Sequence, residues 1–179
     1  MNIHHEVCLI PWDESWERAY HLEKQGIISI LLANDWIADI FHVGSTSVKG
    51  MISKPIIDIL VCPDEDVPLE KFIPALEHLG YKNLGECGRP GRYFLSRGDM
   101  PGETFYLHLC HKSHAVAQDQ LLFQKLVKTI PEVFQGYYQL KTILEDIFTD
   151  DRMMSRELKG IYIAGVLSAY RCGSKVEND

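Results

Sequence analysis

The stretch Ile56-Ile57-Asp58-Ile59-Leu60-Val61-Cys62 is apolar at every position but one. Pro55 opens it, and its length and branched side chains fit a strand buried on both faces better than a half-exposed one. A sheet must be built around this strand. Its lone carboxylate, Asp58, then needs a partner or a metal ion, because an unpaired charge in such surroundings is costly.

The rest of the pattern supplies the sheet's neighbours. Ile37 to Val43 reads as a short strand, followed by the small-residue turn Gly44-Ser45-Thr46-Ser47 and a helical turn reaching Ser53. Arg92 to Arg97 and Thr104 to Cys110 alternate in type and read as antiparallel strands joined by Gly98 to Gly102. Helical spacing marks the remainder. Asp13 is placed to cap a helix with Trp16, Ala19, Tyr20, Ile27, Ile30 and Leu31 on one face, ending near Asn34. Leu69 to Leu79 forms a second helix, stopped by Gly80. Leu122, Leu126 and Ile130 line a third, and Val133, Tyr137, Leu140, Leu144 and Ile147 a fourth. The last, Met153 to Tyr170, is apolar on most sides from Ile161 onward and is expected in the core. The fold class is α+β, a mixed sheet with helices packed on one face and a helical C-terminal third.

A chain of 179 residues suits one core. One domain over 1–172 is expected, with 173–179 as a tail. The five cysteines lack any C-x-x-C pair and read as reduced, mostly buried thiols. Neither a leader pattern nor a membrane-length apolar run appears, so the expected location is the cytoplasm, without membrane contact. A formal charge of −7 argues against a grip on duplex nucleic acid but leaves room for a local site holding one nucleotide.

Such a site has candidate parts. A strand, a turn rich in hydroxyls and a second strand bearing one carboxylate can bind a phosphate ligand. The amides and side chains of Gly44, Ser45, Thr46 and Ser47 would hold phosphate, with Lys54 nearby, and Asp58 would hold magnesium. The competing reading makes Gly44 to Ser47 a helix cap and Asp58 a core aspartate paired with Lys54 or an arginine. Arg89, Arg92 and Arg97 are further phosphate candidates, because a guanidinium chelates phosphate oxygens. His108 shares a strand face with Thr104, Tyr106 and Cys110, opposite Phe105, Leu107 and Leu109. A core histidine and a zinc ligand with His111, His114 and Cys110 are the alternatives. P-loop, Rossmann, nucleophile-elbow and zincin motifs are all absent, which disfavours those enzyme classes.

The run His42-Val43-Gly44-Ser45-Thr46-Ser47-Val48, continuing into Lys54-Pro55-Ile56-Ile57-Asp58-Ile59-Leu60-Val61, resembles the signature of the GrpB family. So do Ile10-Pro11-Trp12 with Trp16, Gly80-Tyr81, Tyr106-Leu107-His108-Leu109, Phe123, Tyr138 with Lys141, and Lys159. The resemblance implies a nucleotidyltransferase-like fold. It also implies magnesium-dependent transfer of a nucleotidyl or related phosphate-containing group, with Asp58 and His108 as catalytic residues. In that superfamily a second carboxylate stands two residues beyond the first, where this chain has Leu60, and leucine offers no oxygen to magnesium. The alternative is therefore a module that binds a nucleotide or phosphate ligand without turnover. No organic cofactor is expected.

Overall fold

The computed structural model describes residues 8–98, 104–148 and 152–176. Two compact units make up the chain, residues 1–120 and 121–179.

The first unit opens with α1 (Ser15–Ala33). Glu14 occupies its N-cap, and Asp13 secures the entry from one residue earlier, its carboxylate accepting the Ser15 N–H at 2.7 Å. That bond holds the Asp13 carboxyl below its ordinary value. Trp16, Tyr20, Ile27 and Leu31 are buried along one stripe, as the spacing predicts; Glu23, which falls on the same stripe, is buried with them.

The strands β1 (Ala38–Val43), β2 (Ile56–Pro63), β3 (Lys82–Asn83), β4 (Tyr93–Arg97) and β5 (Thr104–Leu109) form one sheet in the order β1-β2-β5-β4-β3. The pair β2 and β5 is parallel and every other pairing is antiparallel. The four strands expected from sequence thus share one mixed sheet, and β3 is a two-residue edge strand that the pattern did not reveal. The tip of the expected β4–β5 turn lies outside the described residues.

One sheet face makes the core. Ile40, Ile57, Ile59, Val61, Leu95, Phe105, Leu107 and Leu109 pack there with α1 and with Leu69, Phe72 and Leu76. These last three belong to the expected Leu69–Leu79 helix, which divides into a 3-10 turn (Leu69–Lys71) and α2 (Ile73–His78). Pro74 sits in the first turn of α2, where its missing N–H costs nothing.

The helical turn expected up to Ser53 is shorter. Only Ser45–Ser47 is helical, and Ser53 instead exchanges backbone hydrogen bonds with Ile10. The cysteines also depart from expectation. Cys62 and Cys110 are buried because they lie at the ends of inner strands, whereas Cys8, Cys87 and Cys172 are exposed.

Helix α3 (Ala115–Thr129) begins in the first unit and ends in the second, which also holds α4 (Pro131–Ile147) and α5 (Arg152–Val176). Tyr162 of α5 stacks on Tyr137 and donates its hydroxyl to the Val133 carbonyl, while its ring end fills the space above Gly136. Two expectations fail here. Ile147 at the end of the α4 stripe is exposed, and Lys141 is buried instead, its ammonium over the Tyr137 ring. Ile161 of the supposed core helix is 68% exposed, whereas Leu167 of α5 is buried. A helix laid against one neighbour buries one stripe whatever its other faces carry. The helix also continues to Val176, into the stretch read as a tail. Among the described residues, no helix is long and apolar enough to cross a membrane.

Candidate functional site

Strand periodicity puts the polar candidates on the sheet face away from α1. Register then sorts them into rows. Val43 pairs with Asp58, Asp58 with Tyr106, and Tyr106 with Ser96; in the next row Phe41 pairs with Leu60, Leu60 with His108, and His108 with Phe94. Continuing each strand by one more alternation brings Cys62, Cys110 and Arg92 into a third row.

Asp58 stands at the mouth of the Gly44 turn. Gly44 has φ +70° and ψ −175°, a conformation essentially reserved for glycine, and a Cβ added there would lie 2.9 Å from Asp58 Cγ. The turn can approach the carboxylate this closely only because residue 44 has no side chain. Across the parallel strand pair, His108 Nε2 lies 3.8 Å from Asp58 Oδ1, within ionic reach but beyond a hydrogen bond. The two side chains are 15% and 28% exposed respectively. The Nδ1 of His108 is buried without a partner, and its ring leans on Phe94, centroids 5.3 Å apart.

The hydroxyls of the turn divide their work. Thr46 Oγ1 donates to the Ile56 carbonyl at 3.2 Å and lies 3.1 Å from His42 Nε2, which ties the turn to the start of β2. Ser47 Oγ donates to the Gly44 carbonyl at 2.6 Å. Trp12 Nε1 donates to the Thr46 carbonyl at 3.1 Å and fastens the turn from outside. Ser45 is half-buried in the 3-10 turn that these bonds hold. Lys54 is half-buried before β2 and forms no ion pair with Asp58, so the paired-aspartate reading with Lys54 finds no support.

The three arginines separate. Arg89 is exposed. Arg97 lies on the core face, paired with Glu23 and donating to the Leu79 carbonyl at 3.1 Å, so it is structural rather than a phosphate ligand. Arg92 is only 5% exposed, its guanidinium 5.2 Å from the Phe94 ring centroid, with Nε buried and unpartnered. Burial lowers its pKa. Beside it, a hydrogen bond from Cys62 followed by the charge of Arg92 lowers the pKa of Cys110, while donating that bond raises that of Cys62.

Leu60, where a second carboxylate was sought, is fully buried. Among the described residues, no three His, Cys, Asp or Glu side chains are grouped to hold a metal. The zinc alternative loses His114, whose Nε2 lies 2.9 Å from the Pro90 carbonyl oxygen.

The model of the GrpB protein family matches residues 6–168. The glutamate-rich protein GrpB of Alkalihalophilus pseudofirmus is 28% identical over 167 residues, covering 91% of this chain and 95% of its own. The UPF0157 protein YqkA of Bacillus subtilis is 29% identical over 136 residues, and a UPF0157 protein of Pseudomonas aeruginosa 30% identical over 164. The matches span 39% and 66% of those two relatives, which are longer proteins. Among solved structures, the conserved protein GrpB from Enterococcus faecalis superimposes with a TM-score of 0.74 at 26% identity, covering 91% of this chain and 99% of that one. A likeness to the Cid1 poly(U) polymerase, at 14% identity and a TM-score of 0.49, is faint and concerns the chain trace alone.

Proposed function

The chain belongs to the GrpB family, and from the geometry of its own residues we propose that it is a receptor for a nucleotide or related phosphate-containing small molecule. The Gly44 to Ser47 turn and a magnesium ion on Asp58 hold that ligand. The observation that carries the reading is how closely the Gly44 turn approaches the Asp58 carboxylate, which leaves no room there for a side chain at residue 44. This supports the reading because a turn able to receive phosphate and an anionic oxygen ligand lie side by side, where a bridging cation would join them.

Asp58 suits magnesium. Its carboxylate is partly exposed and His108 is beyond hydrogen-bond reach, so oxygen lone pairs remain for the ion. Magnesium is commonly held by one or two carboxylates and keeps several waters, so one aspartate suffices for a weak site. When bound, the ion supplies neutralisation of phosphate oxygens. Ser45 and the turn amides orient the phosphate, and His108 stands where a proton can be held beside it.

A second reading, magnesium-dependent transfer of a nucleotidyl group, draws on His108 beside Asp58 as an acid or base. Leu60 weighs against it: a fully buried leucine replaces the carboxylate that a two-metal reaction would use. Binding without efficient turnover is the reading the residues favour.

Thermal shift with nucleoside triphosphates, with and without magnesium, tests both. The wild type should gain stability from ligand only when magnesium is present. Asp58→Asn should abolish that gain while changing unliganded stability by roughly 0.5 kcal/mol or less, since no buried pair is broken. A large loss of unliganded stability in this variant would make Asp58 structural and end the proposal.

A further inference from the structure

Arg92 is a cation that the fold buries and leaves unpaired. Among the described residues its guanidinium makes no hydrogen bond or ion pair; the Phe94 ring is its neighbour, and Nε is sealed from solvent. Glu86 of the preceding loop is committed elsewhere, its carboxylate accepting the Gly91 N–H at 2.7 Å. Arg89 adds like charge to the surroundings, and the nearby thiols of Cys87 and Cys110 offset it only as thiolates. An arginine cannot shed its proton to escape, so burial without an anion is a standing cost. Proteins of net negative charge have carboxylates to spare, and this one carries −7. Among the described residues none forms an ion pair with Arg92.

We infer that Arg92 is a second anion-binding point of the site face, receiving a phosphate group of the ligand. A guanidinium offers a planar fork that phosphate oxygens match bidentately, and a partly dehydrated fork binds more strongly than an exposed one. Phe94 fixes its plane from one side, and the same ring bears on His108, which connects this point with the Asp58 end. The two points are far apart. Two strand spacings and two alternations along the sheet put the Cα atoms of Asp58 and Arg92 roughly 16 Å from each other. One phosphate cannot serve both. The ligand class that fits is an extended one with phosphate groups at two places, such as a polyphosphate or a nucleotide with a second, distal phosphate. The extended ligand rests on the function proposed above, whereas the Arg92 subsite rests on its own unpaired charge.

The test uses inorganic phosphate and tripolyphosphate as probes in the presence of a chelator, so that no metal at Asp58 contributes. Wild type, Arg92→Met, Arg92→Lys and Asp58→Asn are compared by thermal shift and calorimetry. Without phosphate, Arg92→Met should melt at or above the wild-type temperature, because it removes an unpaired buried charge. Phosphate should stabilise the wild type, and Asp58→Asn at least as much, while Arg92→Met loses affinity by about tenfold or more, and Arg92→Lys recovers only part of it. General salting-in or exclusion effects act on all variants equally and are thereby subtracted. A lower melting temperature for phosphate-free Arg92→Met would show that the chain itself pairs this arginine and would overturn the inference. Equal phosphate responses in wild type and Arg92→Met, or no response in the wild type, would overturn it as well. If Cys110 supplies the counter-charge as a thiolate, Cys110→Ala lowers the melting temperature and creates phosphate binding that the wild type lacks; that result also overturns it. Loss of the magnesium response in Asp58→Asn bears on the Asp58 reading alone.

Discussion

The two faces of the sheet are made from the same strands and obey different rules. On the core face, Ile57, Ile59, Val61, Phe105, Leu107 and Leu109 lie under α1 and α2, and the charge that intrudes there meets its opposite: Glu23 pairs with Arg97 through one carboxylate oxygen, the other oxygen being buried without a hydrogen bond. On the other face, Asp58 has a histidine only at 3.8 Å, His108 has a buried nitrogen without a partner, and Arg92 forms no ion pair among the described residues. Arg92 and Arg97 sharpen the contrast. They are separated by five residues along the same strand region, so strand alternation sends them to opposite faces. One became structure. The other keeps a full positive charge with no ion pair among the described residues, which is what an anion site needs.

The contrast breaks most visibly at the core pair. Arg97→Met keeps an apolar stem against Tyr81 and Phe105 but strands the Glu23 carboxylate, which is 5% exposed. Loss of one partner from a buried pair costs about 3–5 kcal/mol, and the 34% exposure of Arg97 puts this case at the low end. Urea unfolding should therefore show a loss of about 3 kcal/mol, with Glu23→Leu in the same chain restoring most of it. If the single variant is as stable as wild type, both arginines are peripheral and the distinction between faces fails.

Gly44→Ala examines the other face at its tightest point. The backbone there has φ +70°, and a new Cβ would press on the Asp58 side chain. The conformation alone costs about 1–3 kcal/mol for a residue with a side chain. The expected outcome is a loss of that order in urea unfolding, together with loss of the magnesium-dependent ligand response, since Asp58 must turn away. Retention of the full response by a destabilised variant would separate the turn from the site.

How much of this was legible follows from which physical signals are local. The alternation in Thr104 to Cys110 told the apolar face from the His108 face, and the run around Asp58 marked a doubly covered strand; both hold. Glu23 was legible and missed: it falls three residues after Tyr20 and four before Ile27, on the buried stripe. Its partner was not legible, because an arginine's face depends on which side of the sheet the helices choose. The approach of Gly44 to Asp58 depends on the β1–β2 register, Val43 opposite Asp58, and the nearness of His108 on the parallel pairing of β2 with β5. Long-range pairing leaves no local mark. The α5 helix failed for the opposite reason: its apolar residues were read correctly, but hydrophobicity does not say whether a neighbour exists to cover them.

The smallest effect is at Tyr81, which tests how dry the core face is. Its hydroxyl is buried beside the Glu23 carboxylate, outside ordinary hydrogen-bond geometry, and burial, then the charge and nearness of Glu23, raises the phenol's pKa well above its ordinary value. The sign is fixed by linkage. Below the ordinary tyrosine value of about 10, folded and unfolded chains both keep this proton, and the residue contributes no pH dependence. As pH rises beyond that value the unfolded chain releases the proton while the folded chain cannot, so stability falls by about 1.4 kcal/mol per pH unit from this residue. Tyr20, whose hydroxyl donates to the Ile40 carbonyl at 3.1 Å, is raised by burial too and adds to the same alkaline limb. Tyr81→Phe deletes an unsatisfied buried hydroxyl and keeps the ring. At neutral pH it should change stability by about 1 kcal/mol or less, in the stabilising direction. Between about pH 10 and 11 the variant should lose stability more gently than wild type, by about one proton's slope. Parallel alkaline limbs in urea unfolding would mean that water reaches Tyr81, and that the core face is less tightly closed than the site face requires of it.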